Sequence, residues 1–149
     1  MSESVERFRL LGAVYLMLLK DGKILLLRRY QTGWQDGNYS LVSGHIDGNE
    51  PFSVAMIREA HEEAGITIKP EDLKFAQAVH RHDSQDDREY IDIFFVADTW
   101  QGEVTNMEPE KCDELAWYPL NDLPNNIVPG VRAALDNYND GQAYVEVGW

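Results

Sequence analysis

The sequence predicts an α/β sandwich, and three features carry that expectation. Two stretches with helix signals, residues 51–64 and 129–137, separate several strand-like apolar runs. The run Glu89–Ala97 holds Ile91, Ile93, Phe94, Phe95 and Val96, a density expected of a central strand buried on both faces. Lys20-Asp21-Gly22-Lys23 joins two apolar segments and is a turn of the kind that closes a hairpin. With 149 residues, 44% of them hydrophobic and 26% charged, the chain is expected to form one domain over residues 1–149 whose core needs no staple.

The elements follow in chain order. Residues 8–19 (FRLLGAVYLMLL) read as a largely buried strand, and Ile24–Leu27 is its hairpin partner, ending at Arg28-Arg29. Residues 31–38, with Gly33 and Gly37, form a polar loop before a short strand over Tyr39–Ser43. Pro51 opens the first helix, which runs to residue 64 with Gly65 as its cap. Leu73–His80 and Glu89–Ala97 are strands around a polar loop, Arg81–Arg88. Another loop carries the acidic segment Met107–Glu114, followed by a short strand, Leu115–Tyr118, a connector over Pro119–Asn126 and a last helix, Pro129–Asn137. No internal repeat or low-complexity tract interrupts this order.

The net charge of −13 argues against a long nucleic acid or an anionic membrane as partner, because such surfaces must attract phosphates with Lys and Arg. A phosphorylated small molecule stays compatible with that charge when metal ions screen the carboxylates. The single Cys112 cannot form an internal disulfide, which fits a reducing cytoplasm. The N-terminal MSESVERFRLL has no signal-peptide pattern, and no apolar run reaches the roughly 18 residues that span a bilayer, so no membrane association is expected.

The first helix breaks local folding rules at its end. Taking Glu59 as zero and about 100° per residue, Glu62 falls near 300° and Glu63 near 40°, so three carboxylates share a sector of about 100°. Like charges at these spacings repel, and the helix C-terminus disfavours anions. Met56, Ile57, Ala60 and Ala64 fall between about 60° and 160°, so a separate apolar stripe docks on a sheet and leaves the acids at its edge. Clustered hard oxygen ligands call for a divalent cation such as Mg²⁺.

The segment from Gly44 to Ile66, GHIDGNEPFSVAMIREAHEEAGI, resembles the Nudix box, G-x5-E-x7-R-E-U-x-E-E-x-G-U with U bulky and aliphatic. Gly44, Glu50, Arg58, Glu59, Glu62, Glu63, Gly65 and Ile66 occupy its fixed positions, and Ala60 is smaller than the aliphatic residue usual there. Strand order, length and the last helix are also similar to that family. The resemblance implies the Nudix fold, a mixed sheet sandwiched between helices. It also implies metal-dependent hydrolysis of a nucleoside diphosphate linked to another group, with Mg²⁺ or Mn²⁺ as cofactor.

Carried over residue by residue, the resemblance implies Glu59 and Glu63 as direct metal ligands, Glu62 as a ligand directly or through water, and a backbone oxygen from Ser43 or Gly44. It pairs Arg58 with Glu50, a tie that would orient Glu59. His61 stands at a variable position and reads as an exposed residue. The general base is drawn in many members from a loop glutamate ahead of a strand bearing Trp. Here Glu108, Glu110, Asp113 and Glu114 precede Trp117, with Glu110 the first choice and Glu114 the second, and Glu59 is the other family precedent.

Arg28 and Arg29 end the second strand where members place a cation against substrate phosphates. Tyr39 stands where a W-x-x-P-G-G segment has its aromatic, and is the candidate base contact, although aromatics such as Tyr39 and Trp117 more often belong to a core. His80, Arg81 and His82 reach toward a pocket at a strand end without a role fixed by the pattern. The substrate expected first is a nucleoside triphosphate, including oxidised or non-standard ones. The alternatives are nucleotide sugars, dinucleotides, capped RNA, or a sensor on the same fold that binds a nucleotide without cleaving it. Homodimers are common in the family.

Overall fold

A computed structural model describes residues 4–149. The elements are β1 (Leu11–Lys20), β2 (Lys23–Arg29), β3 (Tyr39–Ser40), β4 (Val42–His45), α1 (Phe52–Ala64), β5 (Lys74–Asp83), β6 (Arg88–Ala97), β7 (Cys112–Pro119), α2 (Pro129–Asn139) and β8 (Tyr144–Val147), with a 3₁₀ turn at Pro70–Asp72. No helix among the described residues is long and apolar enough to cross a membrane.

The strands form one mixed, eight-stranded sheet whose main path runs β3-β2-β1-β6-β5-β8, with β4 paired to β1 and β7 paired to β2. The pairings β1–β6 and β5–β8 are parallel, and the rest are antiparallel. Side-chain alternation on β1 explains the sandwich. Ala13, Tyr15 and Met17 enter the core that α2 covers with Val131, Ala134 and Leu135. Val14, Leu16 and Leu18 enter the core that α1 covers with Ala55, Met56, Ala60 and Ala64. The apolar stripe expected on the first helix is therefore the face that docks, and Pro51 immediately precedes it as N-cap.

Several boundaries differ from the sequence expectation for identifiable reasons. Residues 8–10 are exposed and outside the first strand. The short strand over 39–43 is two pieces, because β3 pairs with β2 whereas β4 pairs with β1. The polar loop expected over Arg81–Arg88 shrinks to the turn Ser84–Asp87, since Arg81 and Asp83 are buried within β5 and satisfy each other's charge there. Strand β6 is central, as its apolar run implies, yet only Tyr90, Asp92, Phe94 and Ala97 are fully buried, and Ile91 and Ile93 are half-buried. Strand β7 begins at Cys112 rather than Leu115, α2 continues to Asn139, and β8 has no counterpart in the sequence reading. Buried Gln77 helps explain β8: its amide donates to the Gln142 carbonyl (2.8 Å) and so draws the returning chain onto β5.

Candidate active site

A cleft of about 730 Å³ opens where the end of α1 meets β4, β5, β6 and the loops after β2 and before β7. Its acidic end is built by α1. Gly65 closes the helix in a left-handed conformation (φ 69°), donating its N–H to the His61 carbonyl. The N–H groups of Thr105 and Met107 then bond the carbonyls of Ala64 (2.9 Å) and Glu63 (3.2 Å). These bonds satisfy helix-end acceptors and hold the loop carrying Glu108 against the end of α1.

Glu59, Glu62 and Glu63 all line the cleft together with Ser43 and Gly44. Glu59 lies so close over Gly44 that a side-chain carbon at that position would overlap its carboxylate. Glu59 and Glu63 lie close enough for their carboxyl groups to act on one another. Burial pushes the Glu59 carboxyl above its ordinary range. Burial also pushes Glu63 well above its range, with the Glu59 charge adding to the effect. This crowding is the local cost of the arrangement, and the donor set consists of hard oxygens suited to Mg²⁺ or Mn²⁺. The donor chemistry thus suits the cation that the box implies, although among the described residues no three acidic, His or Cys side chains are gathered as a preformed cluster.

Arg58 braces the same cluster. Its Nη2–H donates to Glu50 Oε1 (2.8 Å) and its Nε–H to Glu50 Oε2 (3.4 Å), while Nη1–H donates to Glu59 Oε1 (2.8 Å). Glu50 also accepts the Asp47 N–H (3.1 Å), so the loop before α1 is tied to the helix. The Arg58 contact holds the Glu50 carboxyl below its ordinary range. His61 is exposed and takes no part in the cleft.

The remaining candidates separate. Arg29 lines the cleft, whereas Arg28 does not. A register shift in the β2–β7 pairing falls between them, and Arg28 is held outside by Asp113 through Nε–H (2.7 Å) and Nη2–H (3.1 Å). Tyr39 is buried away from the cleft, with its hydroxyl donating to Glu114 Oε2 (2.9 Å) and its ring edge-on to Tyr118. Glu114 is consequently engaged by two tyrosine hydroxyls, and the Tyr118 bond holds its carboxyl below the ordinary range. Glu110 is exposed and outside the cleft. Of the loop acids, Glu108 is the one that lines it. Trp117 stacks on Trp100 in the α1-side core, which makes it a packing residue.

Away from the box the cleft is lined by Tyr15, Trp34 and Tyr90 and by charges of both signs, Arg29, Arg81 and Arg88 beside Asp83 and Asp86. The sequence singles out Arg81 without a role and carries no signal for Trp34, Tyr15 or Tyr90. The alternation on β5 would have placed Arg81 and Asp83 on one face, but nothing in the sequence brings Trp34 to them.

The family model for the NUDIX domain matches residues 9–138. Over 106 residues the chain is 32% identical to an ADP-ribose pyrophosphatase of Methanocaldococcus jannaschii, covering 70% of this chain and 59% of that protein. An NAD-capped RNA hydrolase NudC of Shigella dysenteriae is 27% identical over 120 residues, 80% of this chain and 43% of the relative. The chain thus spans about half the length of these relatives. Among solved structures, the MutT NUDIX hydrolase of Burkholderia pseudomallei superimposes with a TM-score of 0.80 at 27% identity, covering 87% of this chain and 98% of that one. The MutT protein of Methanosarcina mazei Go1 shares the fold, with a TM-score of 0.75 at 22% identity and coverage of 93% and 98%. With its box assembled at one end of the cleft and the family model spanning most of its length, the chain belongs to the NUDIX family.

Proposed function

We propose that this protein hydrolyses the diphosphate linkage of a nucleoside diphosphate-linked small molecule, with Mg²⁺ or Mn²⁺ held by Glu59, Glu62, Glu63 and a backbone oxygen of Ser43 or Gly44. The observation that carries this reading is the facing arrangement in one cleft of the crowded Glu59–Glu63 pair and the half-buried Arg29. When bound, the cation supplies charge neutralisation for the phosphates and lowers the pKa of water.

The chain's own residues do the rest. Arg29 donates to a phosphate oxygen and positions the linkage. Arg58 and Glu50 fix the Glu59 carboxylate so that its geometry is set before substrate arrives. Glu108, held beside Glu63, accepts the proton of the attacking water. A cytoplasmic location accords with this chemistry and with the unpaired, buried Cys112.

A nucleoside triphosphate is the first substrate to test. ADP-ribose is the second, because a relative 32% identical over 106 residues is an ADP-ribose pyrophosphatase. A panel with Mg²⁺ separates them: triphosphates are followed as phosphate after inorganic pyrophosphatase, and ADP-ribose as phosphate after alkaline phosphatase. Turnover of one class assigns the substrate. Tight binding of a nucleotide with no turnover anywhere on the panel would overturn the hydrolase reading in favour of a sensor.

A further inference from the structure

Among the described residues, Arg29 lacks the carboxylate partner that several other arginines of this chain have. Acids outnumber Lys and Arg by 26 to 13, and Arg28, Arg58 and Arg81 each hold at least one carboxylate within 4 Å. Arg29 is half-buried, yet its contacts among the described residues are neutral oxygens: Nε–H donates to the Trp34 carbonyl (2.6 Å) and Nη2–H to Thr32 Oγ1 (2.9 Å). With no carboxylate within 4 Å among the described residues, and with Asp36 and Glu63 acting on it only from farther off, this partly desolvated guanidinium suits an anionic ligand, and the loop that supplies those two oxygens orients it.

That loop is not rigid by composition. Gln31, Gly33, Gln35 and Gly37 all have positive φ, between 51° and 86°, which two non-glycine residues adopt only when their surroundings enforce it. Asp36 organises the tip from within, accepting the N–H groups of Thr32 (3.0 Å) and Gly33 (2.9 Å) and the Thr32 hydroxyl (2.5 Å). One side-chain bond carries the loop across the cleft to the opposite wall: Trp34 Nε1–H donates to Asp83 Oδ2 on β5 (2.9 Å).

Asp83 is itself fixed. Its Oδ2 also accepts Arg81 Nη1–H (3.3 Å), and its Oδ1 accepts the Gln85 N–H (2.8 Å). Arg81 is anchored in turn by Asp92 on β6, through Nε–H (2.6 Å) and Nη2–H (3.3 Å), and its guanidinium lies 4.1 Å from the Tyr90 ring centre and 5.6 Å from that of Trp34. Asp92, Arg81 and Asp83 are only 2%, 8% and 9% exposed, so this triad is a stiff, buried support. The Arg29 guanidinium rests 4.9 Å from the Trp34 ring centre, which closes the chain of contacts from β6 to the cleft.

We propose that Trp34 is a positioning residue for Arg29: its indole, anchored on the Asp92–Arg81–Asp83 triad, holds the loop carbonyl and hydroxyl that aim Arg29 at a diphosphate. This rests on the assignment of the cleft to diphosphate-linked substrates and adds to it a device that sets affinity from the far wall. Arg81, although cationic and in the cleft, has both edges committed to carboxylates and serves as scaffold.

The test is a double-mutant cycle on affinity. Binding of inorganic pyrophosphate with Mg²⁺ is measured by calorimetry for the wild type, Trp34→Phe, Arg29→Ala and the double variant, with Asp83→Asn as a second way to weaken the anchor. Trp34→Phe keeps an aromatic ring and removes the anchoring N–H, so binding should weaken about five- to tenfold, as loss of one buried hydrogen bond implies. In the Arg29→Ala background the same change should have no further effect, because the group it positions is gone. Equal affinity of Trp34→Phe and wild type, no pyrophosphate binding by the wild type, or an undiminished loss in the Arg29→Ala background would each overturn the proposal. Turnover on the nucleotide panel is a separate readout. A protein that cleaves nucleotides without the Arg29-dependent loss keeps the hydrolase reading and refutes the positioning role, and the reverse pattern does the opposite.

Discussion

The Glu59 carboxylate lies directly over the α-carbon of Gly44, joining the acidic face of α1 to strand β4 with no room for a methyl group between them. The Gly44 backbone is not left-handed, so glycine is required here for space alone. Gly44→Ala should push Glu59 off its position while the β1–β4 pairing stays intact. The expected result is a fall in kcat of about 10²-fold, as for other small misplacements of catalytic groups. Kinetics beside circular dichroism checks this, and near-normal kcat in a folded variant would contradict it.

Glu63 links the site to stability. Its folded-state pKa is raised above the ordinary 4.5, chiefly by burial and then by the Glu59 charge. Without metal, the folded state therefore holds this proton more tightly than the unfolded state. That advantage is present at low pH and is lost as pH rises from about 4.5 through the raised value. Melting temperature of metal-free protein should decline over that window, Mg²⁺ should restore it most at the alkaline end, and Glu63→Gln should flatten both trends. The same substitution should lower kcat by about two orders of magnitude or more, since it removes charge compensation in the transition state. A Glu63→Gln variant that keeps wild-type pH dependence and turnover would remove this residue from the site.

Adjacent arginines should behave differently. Arg29 lines the cleft, whereas Arg28 is tied to Asp113 outside it. Arg29→Ala is expected to raise KM about tenfold or more, the scale of one charge-assisted contact, with a smaller effect on kcat. Arg28→Ala should leave both parameters and the melting temperature near wild type, because that pair is substantially exposed. Steady-state kinetics on whichever nucleotide turns over distinguishes the two.

The acids ahead of β7 offer a similar contrast. Glu108 lines the cleft, Glu110 faces solvent and Glu114 is held by Tyr39 and Tyr118. Glu108→Gln should reduce kcat by about 10²-fold or more if it takes the water proton, whereas Glu110→Gln should not change it. The pH profile of kcat/KM should lose its acidic limb in Glu108→Gln. An unchanged limb would leave Glu59 as the remaining candidate for the base.

These contrasts mark how far the sequence was legible. Spacing alone puts Glu59, Glu62 and Glu63 on one sector of a helix and Met56, Ala60 and Ala64 on another, because helix geometry is local and fixed. The Glu50–Arg58 partners are eight residues apart across one loop, close enough in sequence to be carried by a motif. The alternation of Ala13, Tyr15 and Met17 with Val14, Leu16 and Leu18 likewise determines that β1 feeds two cores.

Tertiary structure decided everything that depends on distant segments meeting. Which of Arg28 and Arg29 enters the cleft turns on a register irregularity between β2 and β7, and neither strand contains that information alone. Which loop acid faces the glutamates turns on how residues 105 and 107 bond the end of α1. That Trp34 meets Asp83, 49 positions later, is set by the sheet order that brings β5 opposite the loop after β2. Sequence determined the chemistry that one helix turn and its preceding loop can hold. The packing of strands far apart in the chain decided which charges face it, because burial and pairing are properties of the assembled sheet.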